Sequence, residues 1–240
     1  MVTVLNLVLF NESSEYEKEM KQILEKFHGD TTHRHNVIQY FITYSETLEG
    51  LVGNILYIKG KESRLPGVLD KTIFAIEHWK SIEFDYLIRS NISTIIDFNN
   101  IPYDELKKEG IVYASSDLIT LNWFDIPSGI NNRKLFGTTF ASGTNIIFNR
   151  KGVDYFLEHK HLLRRDIIDD VSIAILMNQV IKPILLSTPL IWNDSKPVSV
   201  MYRNRTLTPQ NEIDRKIDIE RMKEIVAMIL NRSIDSSTVV

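Results

Sequence analysis

The chain has 240 residues, 43% of them hydrophobic and 25% charged, which is enough for one sizeable core and too little for two large ones. Its 28 Lys and Arg against 31 Asp and Glu give a formal net charge of -3, so no broad cationic surface is on offer to nucleic acid. The absence of cysteine excludes disulfides, thiolate metal sites and a cysteine nucleophile, and it fits a reducing compartment.

In chain order, residues 2–10 (VTVLNLVLF) are mostly β-branched and aliphatic and end at Asn11-Glu12-Ser13-Ser14, which reads as a buried strand and a turn. This start has neither a basic lead-in nor a small-residue cleavage site. No stretch approaches the ~20 apolar residues that cross a bilayer, so the expectation is a cytoplasmic protein without a membrane span. Ser13 or Ser14 caps a helix over residues 15–27, where Tyr16, Met20, Ile23, Leu24 and Phe27 recur at helical spacing. Residues 36–44 and 54–58 are strands. Ile73, Ile76 and Trp79 then share one face of a helix that opens near Pro66-Gly67, and residues 84–88 form another strand. This alternation predicts a mostly parallel sheet with helices on both faces, whose ligands bind beyond the carboxyl ends of the strands.

After Asn100 the pattern becomes α+β. Short strands are expected at 111–114, 144–148 and 184–186, helices at 153–163 and 169–180, and loops around Pro127, Ser128, Gly129, Asn131 and Asn132. Residues 211–230 form a charged amphipathic helix, followed by a frayed tail over 233–240. There is no internal repeat and no low-complexity tract.

Four segments carry the candidate chemistry. The strand Phe84-Asp85-Tyr86-Leu87-Ile88 turns polar at Arg89-Ser90-Asn91-Ile92-Ser93, where a ligand of an open sheet would sit. Upstream, residues 58–72 form a loop leading to a helix with the pair Lys71-Thr72. Downstream lie the small-residue turn Ser142-Gly143-Thr144 and the acidic helix start Asp169-Asp170-Val171.

In this order the four segments resemble glycosyltransferases of the GT-A-like class that includes the β1,3-galactosyltransferase-type enzymes, and more closely their soluble forms in large DNA viruses and microbes. The resemblance spans roughly residues 2–230. It implies a single three-layer α/β (Rossmann-like) domain, with a nucleotide-sugar-binding half over 1–100 and an acceptor-binding, catalytic half over 101–232. It also implies a nucleotide-sugar donor and a glycan or glycoconjugate acceptor. In similar enzymes an Asp-x-Asp motif holds a divalent ion against the sugar diphosphate, and here Arg89-Ser90-Asn91 stands in its place. The departure points to transfer without a metal cofactor, although a divalent ion stays open.

On that resemblance Asp170 is the general base that takes the acceptor proton, with Asp169 as second candidate because a carboxylate there also serves as a helix cap. Arg89, Ser90, Asn91, Ser93 and Lys71 face the donor, and Ser142, Gly143 and Thr144 pack against its sugar. Arg89 could equally pair with a nearby carboxylate, and Lys71 could be a solvated charge. If residues 200–205 are extended, Arg203 and Arg205 share a face and can clamp a diphosphate; the other reading is a solvated basic loop. Asn11 and Tyr16 are candidates for the nucleobase pocket. His33-x-His35 and His159-x-His161 lack acidic neighbours at ligand spacing and carry no metal expectation. The rival reading is a non-catalytic sugar- or nucleotide-binding module on a glycosyltransferase fold that has lost its metal site.

Overall fold

A computed structural model describes residues 1–210 and 212–237, the last five of these by backbone alone. Strand β1 (Thr3–Leu9) leads through a Ser14 cap, whose side chain accepts from the Glu17 N–H, into α1 (Glu15–Asp30). Next come β2 (Asn36–Ser45), the short β3 (Gly50–Val52), β4 (Ile55–Lys59) and α2 (Gly67–His78). Strands β5 (Tyr86–Asn91) and β6 (Thr94–Ile96) precede a one-turn α3 (Tyr103–Leu106). The second half runs through β7 (Tyr113–Ser115), β8 (Leu118–Thr120), β9 (Thr139–Ala141) and β10 (Asn145–Asn149) to α4 (Arg150–Glu158) and α5 (Asp169–Met177). It ends with β11 (Ile184–Leu185), β12 (Leu190–Trp192), β13 (Met201–Arg203) and α6 (Arg215–Ser237).

The main sheet has eight strands in the order β11-β7-β10-β5-β1-β2-β4-β3. β5, β1, β2 and β4 run parallel, while β10 enters antiparallel between β5 and β7. The sheet therefore draws strands from both halves of the chain. Two smaller sheets, β12-β13-β6 and the β8-β9 hairpin, flank it on the second-half side.

Side-chain alternation along β1 explains the layers. Leu5, Leu7 and Leu9 pack with Leu69, Ile73 and Ile76 of α2 and with Val171 and Ile173 of α5. Val8 and the following Phe10 face the other way, onto Met20, Leu24 and Phe27 of α1 and Met222 and Ile225 of α6. All are buried, and burying each such side chain contributes about 1.5–3 kcal/mol. The result is a helix–sheet–helix sandwich.

Several expected boundaries shift. The strand predicted at 84–88 extends through Asn91, because flanking by β1 and β10 carries its polar end into the ladder. The helix predicted at 153–163 starts at Arg150, where the Asn149 side chain caps it by accepting from the Gly152 N–H, and it stops at Glu158. The terminal helix continues to Ser237 where fraying was expected from 233 onward. Its expected first residue, Asn211, and residues 238–240 lie outside the described residues. Strands β3, β6, β8, β9, β12 and β13 went unpredicted. Each has only three residues, too few for a period-2 pattern to register.

Candidate active site

Beyond the carboxyl ends of β1 and β5 lies a cleft of two lobes. One, of about 250 Å³, is lined by residues that include Asn11, Glu17, Glu62, Lys71, Asn91, Ser93, Arg203 and Arg215. The other, of about 370 Å³, includes Arg64, Arg89, Asn91, Trp123, Ser142, Gly143, Thr144, Asp169, Asp170, Trp192, Arg203 and Arg205 in its lining. Val68, Asn91 and Arg203 line both, so the two lobes are adjacent. Together they gather residues from all four sequence segments and from the 200–205 stretch.

The first turn of α5 sets the two carboxylates. Neither acts as the helix cap, since that position falls to Ile168. Asp169 is buried and forms an ion pair with Arg89, whose guanidinium also donates to the Gly143 carbonyl oxygen. Asp170 accepts from the Val171 N–H at 2.8 Å through Oδ1 and from the Gly143 N–H at 3.1 Å through Oδ2. Burial raises the Asp170 pKa and the adjacent Asp169 charge raises it further, while the Gly143 N–H and the Arg89 charge oppose them; the result is about 7. A carboxyl poised there is a competent base near neutral pH.

Gly143 makes this arrangement possible. A Cβ at this position would stand 3.1 Å from Arg89 Nη1 and 3.2 Å from Asp170 Oδ2, so a side chain here would press on both groups that the backbone bonds. A second glycine fixes the approach to α5. Gly129 has φ +75, its would-be Cβ falls 1.9 Å from the Asp166 carbonyl oxygen, and the neighbouring Ser128 carbonyl accepts from the Ile168 N–H. Gly129→Ala is expected to destabilise the fold by ~2–4 kcal/mol, read as a drop of several degrees in thermal melting. A melting temperature within one degree of the parent would contradict this packing.

Charge is distributed unevenly among the cleft cations. Lys71 is buried, with Nζ donating to the Phe10 carbonyl at 2.9 Å and to both Glu62 oxygens at 2.8 Å. Burial lowers its pKa, and Glu62 opposes that shift. Arg64 pairs with Asp125 at 3.3 Å, and Arg215 pairs with Asp218 at 3.1 Å and Glu17 at 4.0 Å. Arg203 and Arg205 differ: among the described residues neither side chain forms an ion pair. Arg203 is only 8% exposed; one Nη donates to Ser93 Oγ and its buried Nε has no partner. Burial, then the charges of Arg215 and Arg205, lowers its pKa to about 9, so it remains a cation at neutral pH. A buried guanidinium without a carboxylate partner has the charge and planar donor geometry that suit an anion.

The other predicted residues divide by geometry. Asn11, Asn91 and Ser93 line the strand-end lobe, and Ser142 and Thr144, joined by a 3.0 Å hydroxyl–hydroxyl bond, line the lobe with the carboxylates. Arg89 sits in the cleft wall with its guanidinium turned to Asp169 and Gly143. Strand parity puts Ser90 on the opposite face, where its hydroxyl donates to Asn6 Oδ1 at 3.0 Å. Tyr16 is 42% exposed on α1 and lies outside the lining of both lobes. Trp123, Trp192 and Arg64 were not anticipated. The signal available for the tryptophans was their position in polar loop sequence.

Among the described residues no three His, Asp or Glu side chains converge to hold a metal by themselves, and the polar end of β5 presents Arg89 and Asn91 to the cleft rather than carboxylates. His33 Nε2 lies 3.1 Å from the His28 carbonyl oxygen, and His159 Nδ1 lies 3.0 Å from that of Tyr155. Among the described residues no helix is long and apolar enough to cross a membrane.

Sheet order, layers and the cleft at the strand ends define a GT-A-like glycosyltransferase fold. Among solved structures, the chain is similar to a glycosyltransferase involved in the glycosylation of the major capsid of PBCV-1, with 9% identity and a TM-score of 0.52, covering 93% of this chain and 99% of that one. It is also similar to the glycosyltransferase GlyE of Streptococcus pneumoniae TIGR4 in its apo form, with 10% identity, a TM-score of 0.51 and coverage of 99% of this chain. A second GlyE structure gives 9% identity and a TM-score of 0.50, and in both cases this chain spans 64% of GlyE. No protein-family model and no curated protein sequence matches the chain.

Proposed function

We propose that this protein transfers a sugar from a nucleotide-sugar donor to a hydroxyl of a glycan or glycoconjugate, with inversion and without a metal ion. The observation that carries the reading is one cleft lined both by a carboxylate held by the Gly143 and Val171 amides, Asp170, and by two cations without carboxylate partners among the described residues, Arg203 and Arg205. The resemblance to β1,3-galactosyltransferase-type enzymes belongs to this reading, since the solved neighbours support the fold.

The donor diphosphate lies against Arg203 and Arg205. The acceptor oxygen attacks the anomeric carbon as its proton passes to Asp170, and the bond from that carbon to the diphosphate oxygen breaks. The electron pair leaves with the nucleoside diphosphate, whose growing charge meets preorganised guanidinium groups. Arg89 does not contact phosphate in this scheme. It orients Asp169 and the Gly143 peptide, and through them Asp170. Incubation of UDP-, GDP- and dTDP-sugars with a panel of methyl pyranosides as acceptors in excess chelator, followed by NMR of the anomeric proton, tests the proposal: an inverted glycoside supports it, and no turnover of any donor contradicts it. With Asp170 as base, kcat/KM rises as pH passes through about 7 and levels off above, because only the ionised carboxyl accepts a proton. A profile flat from pH 5 to 9 would remove Asp170 from the rate-determining step.

The replaced acidic motif also favours a second reading, a binding module without catalysis. Such a module binds nucleoside diphosphates and turns over none of their sugars.

A further inference from the structure

We propose that Trp123 and Trp192 form the acceptor subsite, an aromatic platform for the apolar face of a pyranose ring; this rests on the reading of the cleft as a sugar-transfer site. The chain has three tryptophans. Trp79 is 3% exposed and stacked on Tyr40 at 4.2 Å, the ordinary fate of an indole in a core. The other two are 41% and 44% exposed, come from loops and strands 69 positions apart in sequence, and line the same lobe as Asp170. Two part-exposed indoles lining one concave lobe offer apolar surface that a ligand with an apolar face can cover.

Both indoles stand on built supports. The Trp123 loop is closed at its base by the Leu121 N–H to Thr138 carbonyl and the Gly137 N–H to Leu121 carbonyl bonds, at 2.9 and 2.8 Å. It is cross-tied by the Asp125–Ile130 bridge and by the Arg64–Asp125 ion pair. Trp192 ends β12, in register with Arg203 of β13. Ile130 and Phe140 extend the apolar lining, while Asp170 and Ser142 supply charge and hydrogen bonds. A ligand matched to that mixture has one apolar face and a polar rim. A pyranose is such a ligand, because its ring C–H bonds carry partial positive charge towards the negative π face while its hydroxyls point outwards.

The lobe assignment follows from the chemistry. The group that receives the acceptor proton must touch the acceptor hydroxyl, and Asp170 and both indoles line one lobe whereas neither tryptophan lines the strand-end lobe. The acceptor therefore stacks in the lobe that holds the base.

Tryptophan fluorescence tests this directly, since Trp79 contributes a constant buried background. The methyl pyranosides of glucose, galactose, mannose and N-acetylglucosamine are titrated into the full chain without donor. At least one is expected to quench and blue-shift the exposed indoles saturably. The same titration of Trp123→Ala and Trp192→Ala, followed by their remaining indole and by calorimetry, is expected to show binding weakened about tenfold. Trp123→Phe and Trp192→Phe should restore most of it, because a phenyl ring keeps the stacking face. No response to any of the four sugars, or equal affinity in the alanine variants with melting temperatures at the parent value, would overturn the platform. Sugar quenching that follows this pattern in a protein that turns over no nucleotide sugar would leave the platform standing and remove the transferase reading alone.

Discussion

Asp170→Asn is expected to reduce sugar transfer by about 10²–10⁴-fold in kcat while nucleoside diphosphate affinity stays within a few-fold of the parent. The amide has the shape of the carboxyl but no capacity to take a proton at neutral pH, so the acceptor hydroxyl attacks unassisted. Diphosphate binding is expected to be spared because the proposed contacts run through Arg203 and Arg205, which do not bond Asp170. Asp169→Asn separates the two carboxylates. It breaks the ion pair with Arg89 and removes the charge that helps raise the Asp170 pKa. The pH profile of that variant is expected to move to lower pH, with a smaller loss of rate than Asp170→Asn. Equal transfer by Asp170→Asn and the parent would eliminate Asp170 as the base.

Arg203→Met is expected to weaken nucleoside diphosphate binding about 30-fold or more and at the same time to raise the melting temperature. The opposing signs have one cause. In the ligand-free protein Arg203 is a desolvated cation without a carboxylate, with a bare Nε and with Arg205 and Arg215 pushing on it. Replacement by an apolar chain of similar length removes that penalty, worth about 1–3 kcal/mol after the lost bond to Ser93 is counted. A residue kept for structure alone would behave oppositely, the variant melting lower with diphosphate affinity unchanged. Stability and binding measured on one preparation therefore separate an anion site from an internal prop. Lysine at the same position keeps charge but loses the planar fork, and an intermediate affinity is expected.

Much of the first half was legible in the sequence because its elements are long and strongly patterned. The run from Val2 to Phe10 is continuous and aliphatic, and the capped helix after Ser14 has a clear 3.6-residue period. The second half was less legible. Its strands are two to five residues long, and β10 reverses direction by a choice of partner that no local pattern records. In the cleft, motif order brought Arg89, Asp170 and Gly143 to one place, yet the partners of each charge depend on register. The one-residue difference between Arg89 and Ser90 decides which face each occupies, and the sequence around residue 88 does not announce where the strand begins its pairing. The pairing of Lys71 with Glu62 and of Arg64 with Asp125 likewise joins residues whose proximity only the folded loops create. What distinguishes Arg203 is the lack of a carboxylate partner among the described residues, a property visible only when every neighbour is in place.

Calorimetric titration of the chain with UDP, GDP and dTDP in excess EDTA, repeated with magnesium and manganese, measures most directly whether arginine charge rather than a bound cation receives the diphosphate. Binding of at least one nucleotide in chelator, unchanged by either metal and lost in Arg203→Met, is the predicted result; binding that appears only when a divalent ion is added, and survives in Arg203→Met, would contradict it.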